Sequence, residues 1–429
     1  MIARLRSAAL HALPATLAVG LSGAALGAQG AAPKIPIRTL APSTALSTDS
    51  VGPVLAVRAL PNGSLMVNDI ANRRVVMYDS KLARTKVVID TIGGTEPDAP
   101  AKVVQWANTL IPYGSDSSLY VDRATQSLMV LDGRGKVAGM MSLPRPSDFV
   151  TIGSGGEAGH PGFDRQGRFV YHGLPIRPRP EPDLERPWLP PIPVQVDSAP
   201  IVRADLDTRK IDTLTSVKLN IGAPFRKLEV DSEGNVIARM YLNPLGVDDP
   251  WALLSDGTVA VLSVHDYHIN WVDPDGTKRS TAKMPFDWKR ITDVDRKRII
   301  DSLTPQVERM NNVAPRTMNT PSGPRTARQH FEFLPPEKFG DYEQPIQTGA
   351  MKADLNAHVW IVPRTSLSAK GGLLYDVINR KGEIVERVQF PGGYVLAGFG
   401  EKGTLYVVRL NGQRGILERT TVVNTTVYK

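Results

Sequence analysis

Apolar and polar positions alternate in short blocks along most of the chain, and the blocks repeat. The clearest set runs from Leu60 to Asp90. A polar turn at Asn62-Gly63 leads into an apolar strand, Ser64–Asp69. The turn Ala71-Asn72-Arg73-Arg74 leads into a second, Val75–Asp79, and Ser80–Ala83 into a third, Thr85–Ile89. Each strand is rich in Val, Leu, Met or Tyr, which suits a pleated and buried surface. An apolar strand, Val54–Ala59, precedes the set, so the unit predicts four antiparallel strands.

Five further versions follow. They begin at SDSSLYVDR (115–123), DRQGRFVYHG (164–173), LSDGTVAVLS (254–263), DLNAHVWIVPR (354–364) and GEKGTLYVVRL (400–410). Four-stranded units at a recurring period are the content of propeller blades. Asn62 to Asp69, followed by Val75-Val76-Met77-Tyr78-Asp79, resembles the NHL-repeat and TolB-like six-bladed β-propellers of exported bacterial proteins. That resemblance spans roughly residues 37–427 and implies an all-β, six-bladed β-propeller with four-stranded antiparallel blades. The sixth unit has only three strands. Open sheet edges are pairing hazards, so Ile37–Leu40 is expected to supply the missing strand. The hairpin at Lys227–Leu242 is assigned to the third blade as extra strands, with a seventh blade as the alternative.

Two insertions break the period. Residues 174–200 are proline-dense and are expected to be extended, without sheet. Residues 285–347 begin with a helix: Thr292 and Asp295 form a capping-box pattern, and Ile300, Leu303, Val307 and Met310 share one face. Pro305 predicts a kink or a restart capped by Thr304. Residues Asn311–Gln329 are polar and basic and are expected to be a mobile loop.

Composition narrows the setting. Gly 37 and Pro 35 in 429 residues favour many turns over long helices. Cys is 0, which excludes disulfides, Cys-ligated zinc and thiol catalysis. Residues 1–30 have the charged, apolar, small-residue order of a signal peptide, with Arg4 and Arg6 at its start. Residues 31–429 are then a single exported domain, periplasmic or extracellular, with no membrane span after signal removal. The formal net charge is +8, but the basic loops hold few aromatics, so nucleic acid is not an expected partner.

No catalytic motif stands out. Gly153-Ser154-Gly155-Gly156 is not G-x-S-x-G, and Asp248-Asp249 and Asp273-Pro274-Asp275-Gly276 match no EF-hand spacing. His265-Asp266-Tyr267-His268 is the densest titratable cluster. In a propeller, the turns from second to third strand and the connections between blades open on one face. Both insertions therefore rise over one channel mouth. Asp69, Arg73, Asp122, Arg123, His172, His265, Asp266, His268, Arg364 and Arg409 are the candidate ligand-binding residues there.

The favoured expectation is a monomeric binding protein without chemistry, taking a protein, a peptide or a small polar or anionic ligand. A lyase or hydrolase with a divalent metal is the alternative, because propellers that the chain resembles host such enzymes. An envelope-associated structural protein is the second alternative. No cofactor is expected unless it is a divalent metal such as calcium.

Overall fold

The computed structural model describes residues 35–423, apart from 53, 71, 92–99, 103–108, 154–158, 179, 190–193, 195, 220–224, 322 and 413. The expected signal peptide and Ser154-Gly155-Gly156 lie outside the described residues.

The described residues form seven sheets. Six contain a meander of antiparallel strands, in the order the repeats predict. The first sheet is built from Val54–Ala59, Leu65–Asp69, Arg74–Tyr78 and Arg84–Asp90, with Ala101–Lys102 added in parallel at its outer edge. The second holds Leu110–Tyr113, Ser117–Asp122, Ser127–Leu131 and Val137–Ser142; the third holds Gly162–Phe163, Phe169–His172, Ser198–Ala204 and Ile211–Lys218. Trp251–Leu253, Val259–Ser263, His268–Val272 and Lys278–Ser280 make the fourth. Ile346–Ala353, Val359–Pro363, Leu374–Ile378 and Ile384–Gln389 make the fifth, and Tyr394–Phe399, Leu405–Asn411 and Arg414–Thr420 the core of the sixth.

These strands are apolar on both faces because each sheet is covered on both sides. Leu65 and Val67 pack with Tyr406 and Val408 of the sixth sheet, while Met66, between them, packs with Tyr120 and Met129 of the second. The same arrangement recurs around the molecule. Separate buried clusters join the second sheet to the third, the third to the fourth, the fourth to the fifth and the fifth to the sixth. The first strands touch one another: Val54–Ala59 lies between Tyr394–Phe399 and Leu110–Tyr113, and Trp251–Leu253 lies against Ile346–Ala353. A two-residue strand, Gly159–His160, is paired in parallel with Trp251–Leu253, inside the fourth sheet's own first strand.

The N-terminal segment does complete the sixth sheet, but with different residues. Ala45–Leu46 pairs antiparallel with Arg414–Thr420 at the open edge. Ile37–Thr39, expected to serve there, instead runs parallel to Ile384–Gln389 of the fifth sheet. One segment thus covers two neighbouring edges, and Ser43 between them donates to buried Glu418 at 2.5 Å.

The seventh sheet corrects two expectations. Phe225–Val230 and Val236–Leu242 form the expected hairpin, yet it belongs neither to the third sheet nor to a blade of its own. It pairs with Gly323–Phe333, which is itself hairpinned to Arg316–Thr320, so the expected mobile loop is strand. Val236–Leu242 leaves one edge of its hairpin open, and Gly323–Phe333 fills it in parallel, from Val236 opposite Ala327 to Leu242 opposite Phe333. The helix Asp293–Asn311 packs against Gly323–Phe333. Thr292 and Asp295 form the expected capping box, and Val307 on the expected face is buried. The helix continues through Pro305, whose missing N–H is accompanied by a bond from the Thr304 hydroxyl to the Ile300 carbonyl at 2.9 Å. In the proline-dense insertion the described residues 174–178, 180–189, 194, 196 and 197 include no strand, as expected, but its last three residues, 198–200, open the strand Ser198–Ala204, against the expectation of no sheet up to residue 200.

Candidate functional site

Each sequence candidate lies at or beside a turn from second to third strand, one set per sheet. Their side chains are mostly committed to holding that end of the sheet together. Asp69 is fully buried and accepts from the Gly52 backbone at 2.9 Å, Asn72 at 2.7 Å and Arg74 at 3.0 Å. The Gly52 bond ties the connection entering the sheet to the turn after its second strand. Arg364 does the same in the fifth sheet, giving its backbone N–H to Pro345 at 2.7 Å and its Nε to the Gln344 carbonyl at 3.0 Å. Arg409 is held by buried Glu418 at 2.8 Å. Asp122 closes its own turn, accepting from Ala124 and Thr125. Arg73 occupies a left-handed position with φ 52°.

Residues 265–267 are a turn, and His268 opens the strand His268–Val272. Tyr267 adopts φ 50° and points inward, while His265 is exposed. Asp266 pairs with Lys283 at 2.7 Å, and that bond lowers its pKa. His172 is held uncharged by burial, its pKa reduced to about 4 despite nearby Asp148. Its Nε2 and the Nε of Arg123 are buried without a hydrogen-bond partner. Asp148 was not singled out from the sequence. It is 1% exposed and accepts from Arg145 at 2.9 Å, Tyr171 at 3.0 Å and the Leu174 backbone at 3.2 Å. Asp249 plays the matching part in the fourth sheet, accepting from Val264 at 2.9 Å. These carboxylates and arginines staple connections to turns; they do not converge on one point.

A different pair does converge, at the inner edge of the sheets. His160 stands on Gly159–His160, opposite Ala252. Lys352 stands near the end of the fifth sheet's first strand, and its Nζ lies 3.2 Å from His160 Nε2. Gly159 seats the histidine: a Cβ there would lie 2.4 Å from Trp251 Nε1 and 2.5 Å from the Trp251 carbonyl oxygen. Burial holds His160 uncharged, with its pKa brought down to about 3 and Lys352 adding to the effect. Burial also brings Lys352 from 10.5 down to about 8.

Lys352 sits two residues before the residue that closes the first turn, Asp354. Ala252 and Gly398 hold that place in the fourth and sixth sheets, and Arg58 holds it in the first. Arg58 is turned to the Ser115 carbonyl at 3.0 Å. A lysine where the fourth and sixth sheets carry small residues is the sequence signal that would have found Lys352. His160 has no such signal, because its strand is two residues long and lies ahead of the repeat.

Among the described residues, no three His, Asp or Glu side chains are placed to hold a metal. An amine and an imidazole without a carboxylate suit a hard divalent cation poorly, since such ions take oxygen ligands. No helix of the described residues is long and apolar enough to cross a membrane.

No protein-family model matches the sequence, and a search of curated proteins found no match. Solved structures do match. A virginiamycin B lyase from Staphylococcus aureus aligns at TM-score 0.37 and 10% identity, over 88% of this chain and 98% of the other. A gluconolactonase from Xanthomonas campestris aligns at TM-score 0.38 and 10% identity, over 92% and 99%. Regucalcin from Agrobacterium tumefaciens, described as a calcium-binding protein, aligns at TM-score 0.34 and 11% identity, over 90% and 96%. The expectation of a binding protein without chemistry is corrected here: the similar folds include a lyase and a gluconolactonase, and the likeness shows the fold alone. Likeness at this level does not assign residues.

Proposed function

We propose that this chain is a lyase or hydrolase on a closed six-bladed propeller, with its reacting centre at Lys352 and His160. One observation carries the proposal: two half-buried bases from different sheets meet at the inner edge, each with its pKa lowered. Strongly perturbed groups with a specific partner mark functional sites more often than structural ones. The stapled turns supply the rigid frame that such a site needs. Six clusters joining consecutive sheets, the last joined to the first, support the closed ring.

The substrate class we favour is a small polar or anionic molecule, handled by a single exported chain after loss of residues 1–30. Mass spectrometry of the native protein tests export; an intact Met1 would refute it.

The function itself is tested with purified protein against a panel of esters, lactones and hydroxy or keto acids. Lys352→Met and His160→Ala should each abolish the turnover found while leaving the melting curve cooperative. Lys218→Ala, on the exposed outer strand of the third sheet, should leave it unchanged. Undiminished turnover in Lys352→Met would overturn the proposal.

A further inference from the structure

We propose that Lys352 is an amine nucleophile that takes small carbonyl compounds as imines at Nζ, with His160 positioning the amine; this rests on the centre assigned above. The contact itself limits the protonation states. Lys352 Nζ and His160 Nε2 are both basic nitrogens, and at 3.2 Å they form a hydrogen bond only if at least one offers a lone pair. Two cations at that separation would repel. Either an ammonium or a neutral amine donates to the lone pair of neutral His160, or a neutral amine accepts from the imidazole N–H. Each arrangement fixes the direction of the Lys352 nitrogen, and the neutral amine that donates is the reactive one, because its own lone pair stays free.

The surroundings raise the share of neutral amine. Met351 and Ala353, on either side of Lys352 in the strand, pack into the cluster that joins fourth and fifth sheets and fix the strand that carries it. Burial disfavours the ammonium, and a lysine with a pKa near 8 is roughly a quarter unprotonated at pH 7.5. His160 does not titrate in that range, so it adds no competing acid. Desolvated lysines beside another basic group are the usual makers of Schiff bases. Ala252, a small residue, lies opposite His160.

The step balances without an added reagent. The Nζ lone pair attacks the carbonyl carbon, a proton moves from nitrogen to oxygen, and the carbinolamine then loses water. The carbonyl oxygen leaves with the two hydrogens of the amine, and one C=N bond replaces one C=O bond. An imine next to a carboxylate or hydroxyl-bearing carbon is an electron sink for breaking the adjacent bond. The inference therefore selects lyase over hydrolase.

The test uses the full-length protein and two reagents. Glyoxylate with sodium cyanoborohydride traps imines as stable amines; acetic anhydride acylates any free amine regardless of carbonyl chemistry. Both are applied at pH 7.5 and mapped by peptide mass spectrometry. Lys352 should carry the glyoxylate adduct at least about tenfold above the average lysine, from its larger free-amine fraction. His160→Ala should reduce that preference, and Lys352→Arg should remove the adduct with the fold intact. Acetylation at Lys352 without a glyoxylate adduct would overturn the imine and leave the centre standing. Lys352 reacting no faster than other lysines with either reagent would overturn both.

Discussion

Lys352 and His160 lie 192 positions apart in sequence, yet their nitrogens meet at 3.2 Å. Both ionise less readily in the folded protein than in the unfolded chain, and this sets a pH profile. Lysine titrates at 10.5 when unfolded and at about 8 here, so the unfolded state binds more protons between those values. Stability should rise with pH across that window. Histidine titrates at 6.5 unfolded and at about 3 here, so stability should fall as pH drops from 6.5 toward 3. Lys352→Met should raise the melting temperature at pH 7, with the gain shrinking between pH 8 and 10.5. A pH-independent difference between the two proteins would show that Lys352 is not destabilised as a cation.

Gly159→Ala should disturb His160 without touching its side chain. The added Cβ meets the Trp251 backbone oxygen at 2.5 Å, which cannot swing aside as a side chain could. Overpacking of this kind costs about 1–3 kcal/mol. The check is chemical denaturation together with the imidazole resonance of His160. An unshifted resonance and unchanged midpoint would mean that the strand relaxes freely.

Asp148→Ala should be among the most damaging single changes on the stapled side of the sheets. It leaves Tyr171 OH, the Leu174 N–H and Arg145 without their shared acceptor. Arg145 is 36% exposed, so the loss falls mainly on the Tyr171 and Leu174 hydrogen bonds, each costing about 1–3 kcal/mol when its partner is removed. Arg123→Ala, whose buried Nε has no hydrogen-bond partner, should cost far less. Equal melting temperatures for the two variants would refute the stapling role.

Much of this fold can be read from the sequence because its units are local. The strands Leu65–Asp69 and Arg74–Tyr78 match their expected limits to within a residue, since the polar turns between them are specified by neighbouring residues. The seventh sheet was not legible. Its central pairing joins residues such as Asn235 and Thr326, 91 positions apart, and a lone polar strand carries no mark of a distant partner. For the same reason Ile37–Thr39 and Ala45–Leu46 could not be told apart as edge strands. The turns from second to third strand were placed correctly as positions. Their charges read as a binding surface because Asp69 and Arg364 find partners in connections whose path the sequence does not fix, and Arg409 finds Glu418 on the next strand.

Removing residues 35–46 should open two edges at once. Ala45–Leu46 leaves the sixth sheet and Ile37–Thr39 the fifth, and Glu418 loses its bond from Ser43. The deletion should lower the melting temperature and promote aggregation through the exposed strands. Thermal unfolding identical to the intact protein would rule out the clasp.

Ser43 and Glu418 stand 375 positions apart. During synthesis the segment that covers the sixth sheet emerges long before the strand it must meet. Until Arg414–Thr420 has been made, Ala45–Leu46 has no partner. The early sheets are local meanders and can form in turn, but the packing of the first sheet on the sixth waits for a nearly finished polypeptide. Truncated products carry the full liability of open edges, which makes completion of translation itself a quality checkpoint for this protein.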